Sequence, residues 1–455
     1  MTQPSSIRPA ADGPAAPAGA RRAAAGSFVG AVVEWYDFLL YGVVAALVFG
    51  PLFFPTESPT AGALAAFATF GIGFLFRPLG GIVFGHLGDR IGRKRTLVWT
   101  IAIMGLTTAA IGLLPTFDQV GYLAPVLLVA LRCVQGLAVG GEWASAALLA
   151  VEHAPKRWKA LYSSGVQVGY SVALLMVNGF VAILVATMSE GAFEAWGWRI
   201  PFFFGLLLTL VGLWIRSGVD ESETFKKAAA ARAAEPVETR KLPVLEALRR
   251  HPGAFAKIVA LRLAELLTMY IVVTFALAYA TGQYGFSRGF MLGVGLLVGG
   301  LGIITIPLFG WLSDRYGRRP VYLVGAVVAV LASVPFFVAM EQGSAVLLVV
   351  CAVLLVNIGH DAIVSVQQPL FTEMFGAEHR NSGAGLGYQL ASVVGGGFTP
   401  FIATALVAVG GGSWYLVAAY LCGGCLISLL VASFMSYRPH TEDEHAPATP
   451  AASHA

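Results

Sequence analysis

Twelve apolar stretches, each long enough to cross a lipid bilayer, run through this chain, and they constrain its fold more than any other feature. They fall at 28–50, 61–85, 96–116, 122–150, 160–187, 199–216, 254–281, 289–312, 320–340, 345–370, 382–409 and 413–435. A hydrocarbon layer roughly 30 Å thick takes about 20 helical residues to cross. Inside it only helices and closed barrels satisfy their own backbone. The fold class expected is therefore all-α integral membrane, with twelve transmembrane helices. Composition agrees, since 57% of the chain is apolar and 12% charged, where a soluble domain carries about a quarter charged residues. Arg21 and Arg22 precede the first stretch as in a secretion signal, but that stretch is too long for cleavage and holds Glu34 and Asp37.

Residues 1–26 are rich in Ala and Pro without apolar periodicity and read as a disordered tail, as do 437–455. The longest hydrophilic stretch, 218–252, separates six spans from six and suits a linker, leaving bundles at 27–217 and 253–436. Of the 29 Lys and Arg residues, 24 fall in the tails and in alternate loops, while Arg199 and Arg288 alone mark the other side. Positive loops stay in the cytoplasm, so both termini are expected there, in a multi-pass protein of the cell membrane. The four cysteines lie inside apolar runs, and Cys422 and Cys425 have no charged neighbour, so they read as inert packing thiols. Neither a metal site nor a nucleic-acid surface is indicated.

One segment occurs twice. Phe84-Gly-His-Leu-Gly-Asp89-Arg90-Ile-Gly92-Arg93-Lys94 recurs 225 residues later as Phe309-Gly-Trp-Leu-Ser-Asp314-Arg315-Tyr-Gly317-Arg318-Arg319, identical at seven of eleven positions. Both copies join the second and third spans of their half on the same side, so the halves are parallel repeats. Transporters are one class built this way, with the substrate site between the repeats near the midplane.

The doubled G-x-L-x-D-R-x-G-R-[KR] loop resembles the signature of the major facilitator superfamily. Other stretches resemble its metabolite:proton symporter branch: Glu34-Trp35-Tyr36-Asp37-Phe38, Arg77-Pro78-Leu79-Gly80-Gly81, Arg132-x-x-Gln135-Gly136 with Gly140-Gly141-Glu142-Trp143, and Trp196-Gly197-Trp198-Arg199-Ile200-Pro201-Phe202. The resemblance runs over about 27–436. It implies two six-helix bundles working by alternating access, a proton gradient as energy source with no cofactor, and a small organic acid or zwitterion as cargo. Members of that branch carry citrate, 2-oxoglutarate, shikimate, or proline and betaine. Ala144-Ser145 after Trp143 and Leu266 after Glu265 depart from the usual pattern, which bears on substrate rather than fold.

A charge at bilayer depth costs roughly 2.5–3.5 kcal/mol or more, so such residues face a cavity or a partner. Glu34 and Asp37 share a helix face with Tyr41, a candidate to hydrogen-bond a substrate, and one of two neighbouring carboxylates is expected to hold a proton near neutral pH unless a cation intervenes. Arg77 cannot shed its charge and needs an anion. Competition between Asp37 or Glu34 and a substrate carboxylate for Arg77 would couple proton to cargo; a static ion pair is the alternative. Arg132, Gln135 and Glu142 fall within one arc of the fourth span; the resemblance gives Arg132 a part in proton handling, and pairing with neighbouring charges is the alternative. Arg262 and Glu265, three apart, can neutralise each other, which favours a structural role, with a part in proton coupling or substrate binding as the alternative. Asp361 beside His360 has no cation near it in sequence and suits a cavity-facing or proton-linked role. Tyr388 and Gln389 are weaker polar candidates.

The resemblance makes Gly85 and Asp89 a gating latch at the start of the eleventh span, with Arg90 and Arg93 as topology determinants. Gly310, Asp314, Arg315 and Arg318 are the second copy, directed toward the fifth span. A primary pump is disfavoured for want of a phosphate-binding loop, and a membrane-embedded enzyme for want of a metal or nucleophile constellation. Within transport, a drug or metabolite efflux antiporter and an osmolyte symporter remain as alternatives. The fifth span, Gly165-Val-Gln-Val-Gly169, lacks the Gly-Pro pair of an antiporter signature, which favours uptake. The short final tail has no heptads and disfavours an osmosensor. The fold needs no partner chain.

Overall fold

The computed structural model describes residues 18–56, 58–91, 93–140, 158–217, 248–375 and 380–435, with the backbone alone at 18–27, 85–86, 88–91, 93–94, 216–217 and 380–382. Twelve helices in it are long and apolar enough to span a membrane. They are α1 (Phe28–Phe53), α2 (Pro59–Phe84), α3 (Arg95–Gly112), α4 (Leu123–Gly140), α5 (Lys159–Thr187), α6 (Gly197–Ile215), α7 (Pro252–Gln283), α8 (Arg288–Tyr316), α9 (Arg318–Glu341), α10 (Ala345–Thr372), α11 (Gly383–Val409) and α12 (Tyr415–Phe434). Each answers to one of the twelve apolar stretches. The fourth stretch was expected to reach residue 150, and its part beyond 140 lies outside the described residues, as does most of the linker.

The chain itself sets the helix starts. Ser58, Ser287 and Ser344 cap α2, α8 and α10, each accepting from the amide three residues on, so an otherwise orphan terminal N–H is satisfied where water thins out. Pro59 and Pro252 stand in the first turns of α2 and α7, where a missing N–H costs nothing.

The outer surface is oily, the reverse of a soluble protein. Leu106, Leu113, Trp214, Ile304, Leu331 and Phe434 are each more than 60% exposed, and the buried residues include Arg77, Arg132, Arg262, Asp37, Glu265 and Asp361. Between helices in lipid there is no hydrophobic drive, so close backbone packing must supply cohesion. In the first bundle α2 and α4 meet through glycine: a Cβ at Gly136 would overlap the Gly73 carbonyl, and one at Gly140 the Arg77 carbonyl. Between bundles α5 and α8 lie together along their length, with Gly295, Gly299, Gly302 and Gly310 of α8 against Asn178, Ser171 and Ala160 of α5. The second inter-bundle seam is α2 against α11, where Phe398 packs on Gly71 and Phe74 on Gly397.

Four helices widen into π turns: α1 at Ala45–Phe49, α7 at Ile271–Phe275, α10 at Leu354–His360 and α11 at Ser392–Gly397. Such turns gather at functional sites because they reset the direction in which later side chains point. Here they flank the polar residues of the interior.

Candidate transport site

The first polar centre joins three helices. Asp37 on α1, 3% exposed, accepts from Thr108 Oγ1 of α3 and, at 2.8 Å, from Gln135 Nε2 of α4. The Gln135 amide oxygen accepts from Arg132 Nη1 at 3.0 Å. Arg132 Nη2 donates to the Phe70 carbonyl at 3.3 Å, and its guanidinium lies 3.9 Å from the centre of the Tyr41 ring. The Tyr41 hydroxyl is 2.5 Å from Thr69 Oγ1, so it is engaged inside the bundle rather than turned to a substrate. Asp37 is thus held by neutral donors, with Arg132 behind Gln135.

Arg77 stands on α2. Among the described residues no carboxylate reaches salt-bridge distance of it, and its guanidinium carbon lies 3.8 Å and 4.1 Å from the centres of the Phe38 and Phe74 rings. The negative faces of the rings attract the cation and take the place of the expected acid. Its Nε has no hydrogen-bond partner. The charged and phenolic groups acting on Arg77 through space are Glu34 and, from the second bundle, Tyr270, Tyr388 and Arg262. Asp37 points to α3 and α4, and the hydrogen bonds that hold it come from Thr108 and Gln135.

The second bundle closes its own charges. Glu265 takes Arg262 in a two-pronged contact at 3.0 Å and 2.9 Å, and Arg262 Nη1 donates at 2.7 Å to both the Tyr388 carbonyl and Ser392 Oγ. Gln367 Nε2 donates to Glu265 at 2.6 Å. Asp361 on α10 accepts from Thr305 of α8 and from Asn357 Nδ2 at 3.1 Å, and His360 Nδ1 stands 2.8 Å away.

Several polar atoms in the interior have no hydrogen-bond partner among the described residues: the Tyr170 and Tyr270 hydroxyls, Gln167 Nε2, both amide atoms of Gln368, and Gln389 Oε1. Each such atom costs roughly 1–3 kcal/mol, which a protein retains where a ligand satisfies it. Tyr270 stands beside Arg77, its ring edge-on to Phe70 and Phe74 at 5.6 Å and 5.8 Å. Of these only Gln389 stood out in the sequence. The others are single polar residues in apolar helices, and Thr108 also bonds the Met104 carbonyl, as any helical Thr does.

At the motif end of the molecule, Asp314 on α8 accepts from the Ala160 and Leu161 amides at the start of α5, at 3.0 Å and 2.9 Å. Gly310 lies against the Ala160 carbonyl, Arg315 sits by Trp311, and Arg318 pairs with Glu373 after α10. Of Gly85, Asp89, Arg90 and Arg93 only the backbone is described, and Glu142 lies outside the described residues altogether. At the opposite end Arg288 bridges Glu190 and Glu194, at 3.0 Å and 3.4 Å, across the bundles. A cavity of 540 Å³ opens there, lined by Val185, Met188, Phe193 and Phe286 among others.

Two six-helix bundles with charges buried inside them and a carboxylate contact at their junction define a class, and comparison with known proteins names it. The family model described as Major Facilitator Superfamily matches residues 59–396 and 299–454. The chain is 59% identical to the "Shikimate transporter" of Escherichia coli over 91% of its own length and 94% of that protein. It is 37% identical to the "Inner membrane metabolite transport protein YhjE" of Escherichia coli, over 89% and 92%. To the "Glycine betaine/proline/ectoine/pipecolic acid transporter OusA" of Dickeya dadantii it is 32% identical, over 95% and 86%. Among solved structures, a partially occluded inward-open form of the xylose transporter XylE from Escherichia coli matches with TM-score 0.70 at 16% identity, covering 92% of this chain and 97% of that one. The chain belongs to the major facilitator superfamily. It is a metabolite transporter and not an enzyme.

Proposed function

We propose that this protein imports a hydroxylated monocarboxylate of the shikimate type together with protons, by alternating exposure of the space between its two bundles. The observation that carries this reading is Arg77, a buried permanent cation that no carboxylate among the described residues meets at salt-bridge distance. It is held between two phenyl rings at the seam, facing Tyr270 and Tyr388 of the other bundle. A buried guanidinium at the seam is a strong receptor for a substrate carboxylate. The orphan hydroxyl of Tyr270 and the orphan amides of Gln368 and Gln389 suit the hydroxyls of such a substrate. The 59% identity with a shikimate transporter supports the same class.

Asp37 serves as a proton site. Arg132 and Arg77 are the cations acting on it. With Asp37 ionised, part of their charge is offset by the carboxylate. With Asp37 protonated, Arg77 is left to the incoming anion. Proton and substrate thus favour each other's binding, which is the coupling a symporter needs. A betaine is less well served, because the aromatic faces that would take its ammonium already hold Arg77. The 24 of 29 basic residues on one side support a cytoplasmic location for both termini and the motif loops. Opening then requires the Asp314 contact to part on the cytoplasmic side and the Arg288 contact on the other.

The test is uptake of labelled shikimate, citrate, 2-oxoglutarate and betaine by transport-deficient cells, with and without an uncoupler. Shikimate is expected to accumulate, and to stop doing so when the proton gradient is collapsed. Asp37→Asn is expected to lose accumulation while keeping part of the exchange of preloaded substrate. Concentrative uptake surviving in Asp37→Asn would move the coupling away from α1.

A further inference from the structure

A second titratable pair lies in the other bundle, where the site above makes no use of it. Asp361 is fully buried and His360 is 2% exposed, side by side on α10 at the end of its π turn. The Asp361 carboxylate accepts from Thr305 and Asn357, and one of its oxygens stands 2.8 Å from His360 Nδ1. Those donors suit an ionised carboxylate and fix the imidazole with Nδ1–H toward it. The other ring nitrogen is then the one that can take up a proton. The imidazole lies 5.1 Å, ring centre to ring centre, from Tyr170 of α5, whose hydroxyl has no partner. Asp361 therefore belongs to the second bundle, and the group facing its histidine belongs to the first. The seam is close on the α8 side as well, where a Cβ at Gly302 would lie 3.5 Å from Asp361 Oδ2 and collide with Ser171 Oγ.

We propose that His360 and Asp361 form a second proton-carrying site, so that the carrier moves one proton on Asp37 in the first bundle and another on His360 in the second. A proton from solvent adds to the free ring nitrogen of His360. The pair passes from one net negative charge to none, and the new N–H finds the Tyr170 hydroxyl as acceptor across the seam. Burying a neutral pair costs less than burying a lone charge, so proton binding favours the closed seam and its loss favours parting. The charged and titratable groups facing the pair are Tyr170 directly, with Tyr270 and Glu265 acting on Tyr170 from α7. Glu265 is committed to Arg262 and does not compete for the proton. A monoanion moving with two protons carries one net positive charge, so transport responds to membrane potential, whereas one proton per monoanion would be electroneutral.

This inference rests on the proposed reading for its substrate, shikimate, and the experiment separates the two. In proteoliposomes holding the full chain, an imposed potential should shift the wild-type accumulation ratio of shikimate tenfold per about 59 mV, the shift for one net charge. His360→Asn keeps a donor toward Asp361 but cannot take up a proton, and should transport with that dependence abolished. Equal voltage dependence in wild type and His360→Asn, or none in wild type, overturns the proposal. A readout free of substrate runs beside it. In purified protein labelled with ¹⁵N-histidine, the signal missing from both His360→Asn and His360→Gln should pass from the neutral to the doubly protonated ring as the folded protein is acidified, and a signal that never changes overturns the second site. Wild type that does not move shikimate yet shows the titrating signal refutes the substrate reading alone.

Discussion

The contact between Asp314 and the start of α5 makes a quantitative prediction. The first amides of any helix lack partners within it, and α5 has no side-chain cap of its own. Two of those amides are satisfied instead by a carboxylate from the other bundle, at 3.0 Å and 2.9 Å. Replacing Asp314 with Asn removes the charge and one of the two acceptor oxygens and turns an N–H toward a donor. One hydrogen bond to a charged group contributes roughly 1.5–3 kcal/mol and the helix dipole roughly 0.3–1. Because the carboxylate is partly exposed, the lower part of that range applies, about 2 kcal/mol, or roughly 30-fold in the equilibrium between closed and open at this end. Spin labels at Tyr162 and Tyr316, 57% and 62% exposed on either side of the contact, report the distance between bundles by electron–electron resonance in a background without the native cysteines. Asp314→Asn should move population to a longer distance, and Arg315→Gln, which touches neither amide, should not. An unchanged distribution in Asp314→Asn, with thermal stability intact, would refute the view that this carboxylate holds the bundles together.

Two further outcomes follow from the packing. Glu265→Gln leaves Arg262 buried without its counter-ion and should cost about 3–5 kcal/mol, whereas replacing both residues by apolar ones of similar size should cost less; melting of the purified protein in detergent compares them. Gly136→Ala puts a methyl where the Gly73 carbonyl stands and should lower stability by about 1–3 kcal/mol. It should also weaken uptake by displacing Gln135, and unchanged melting and transport would show that α2 and α4 have room to spare.

Much of the architecture is legible in the chain because lipid reduces the choice of element to one, and apolar length then counts the helices. The repeated loop around Asp89 and Asp314 divides them into halves. The spacing of Arg262 and Glu265 sets them within reach, and the structure joins them. What one helix at a time does not contain is which helix lies opposite. Arg77 has no acid within a turn, so an acid on α1 was the natural partner; the phenyl rings of Phe38 and Phe74 become its neighbours only when α1 and α2 are docked. Thr108, Tyr170 and Tyr270 look like ordinary polar residues in apolar surroundings until α3, α5 and α7 bring them to Asp37, His360 and Arg77. The π turn before Asp361 breaks the regular phase on which any face assignment relies.

The glycine seam between α2 and α4 carries one last implication. Two helices whose main chains touch at Gly136 and Gly140 have no slack for sliding, so Asp37, Gln135, Arg132 and Arg77 travel as a single rigid cassette whichever way the molecule opens. Tyr270, Tyr388 and Gln368 ride on the opposite half and must come and go. On the proposed reading, proton affinity on α1 is then set mostly within one half of the molecule and the grip on cargo by both, so sequence change along α7 and α11 can retune what is carried without dismantling the proton site on α1.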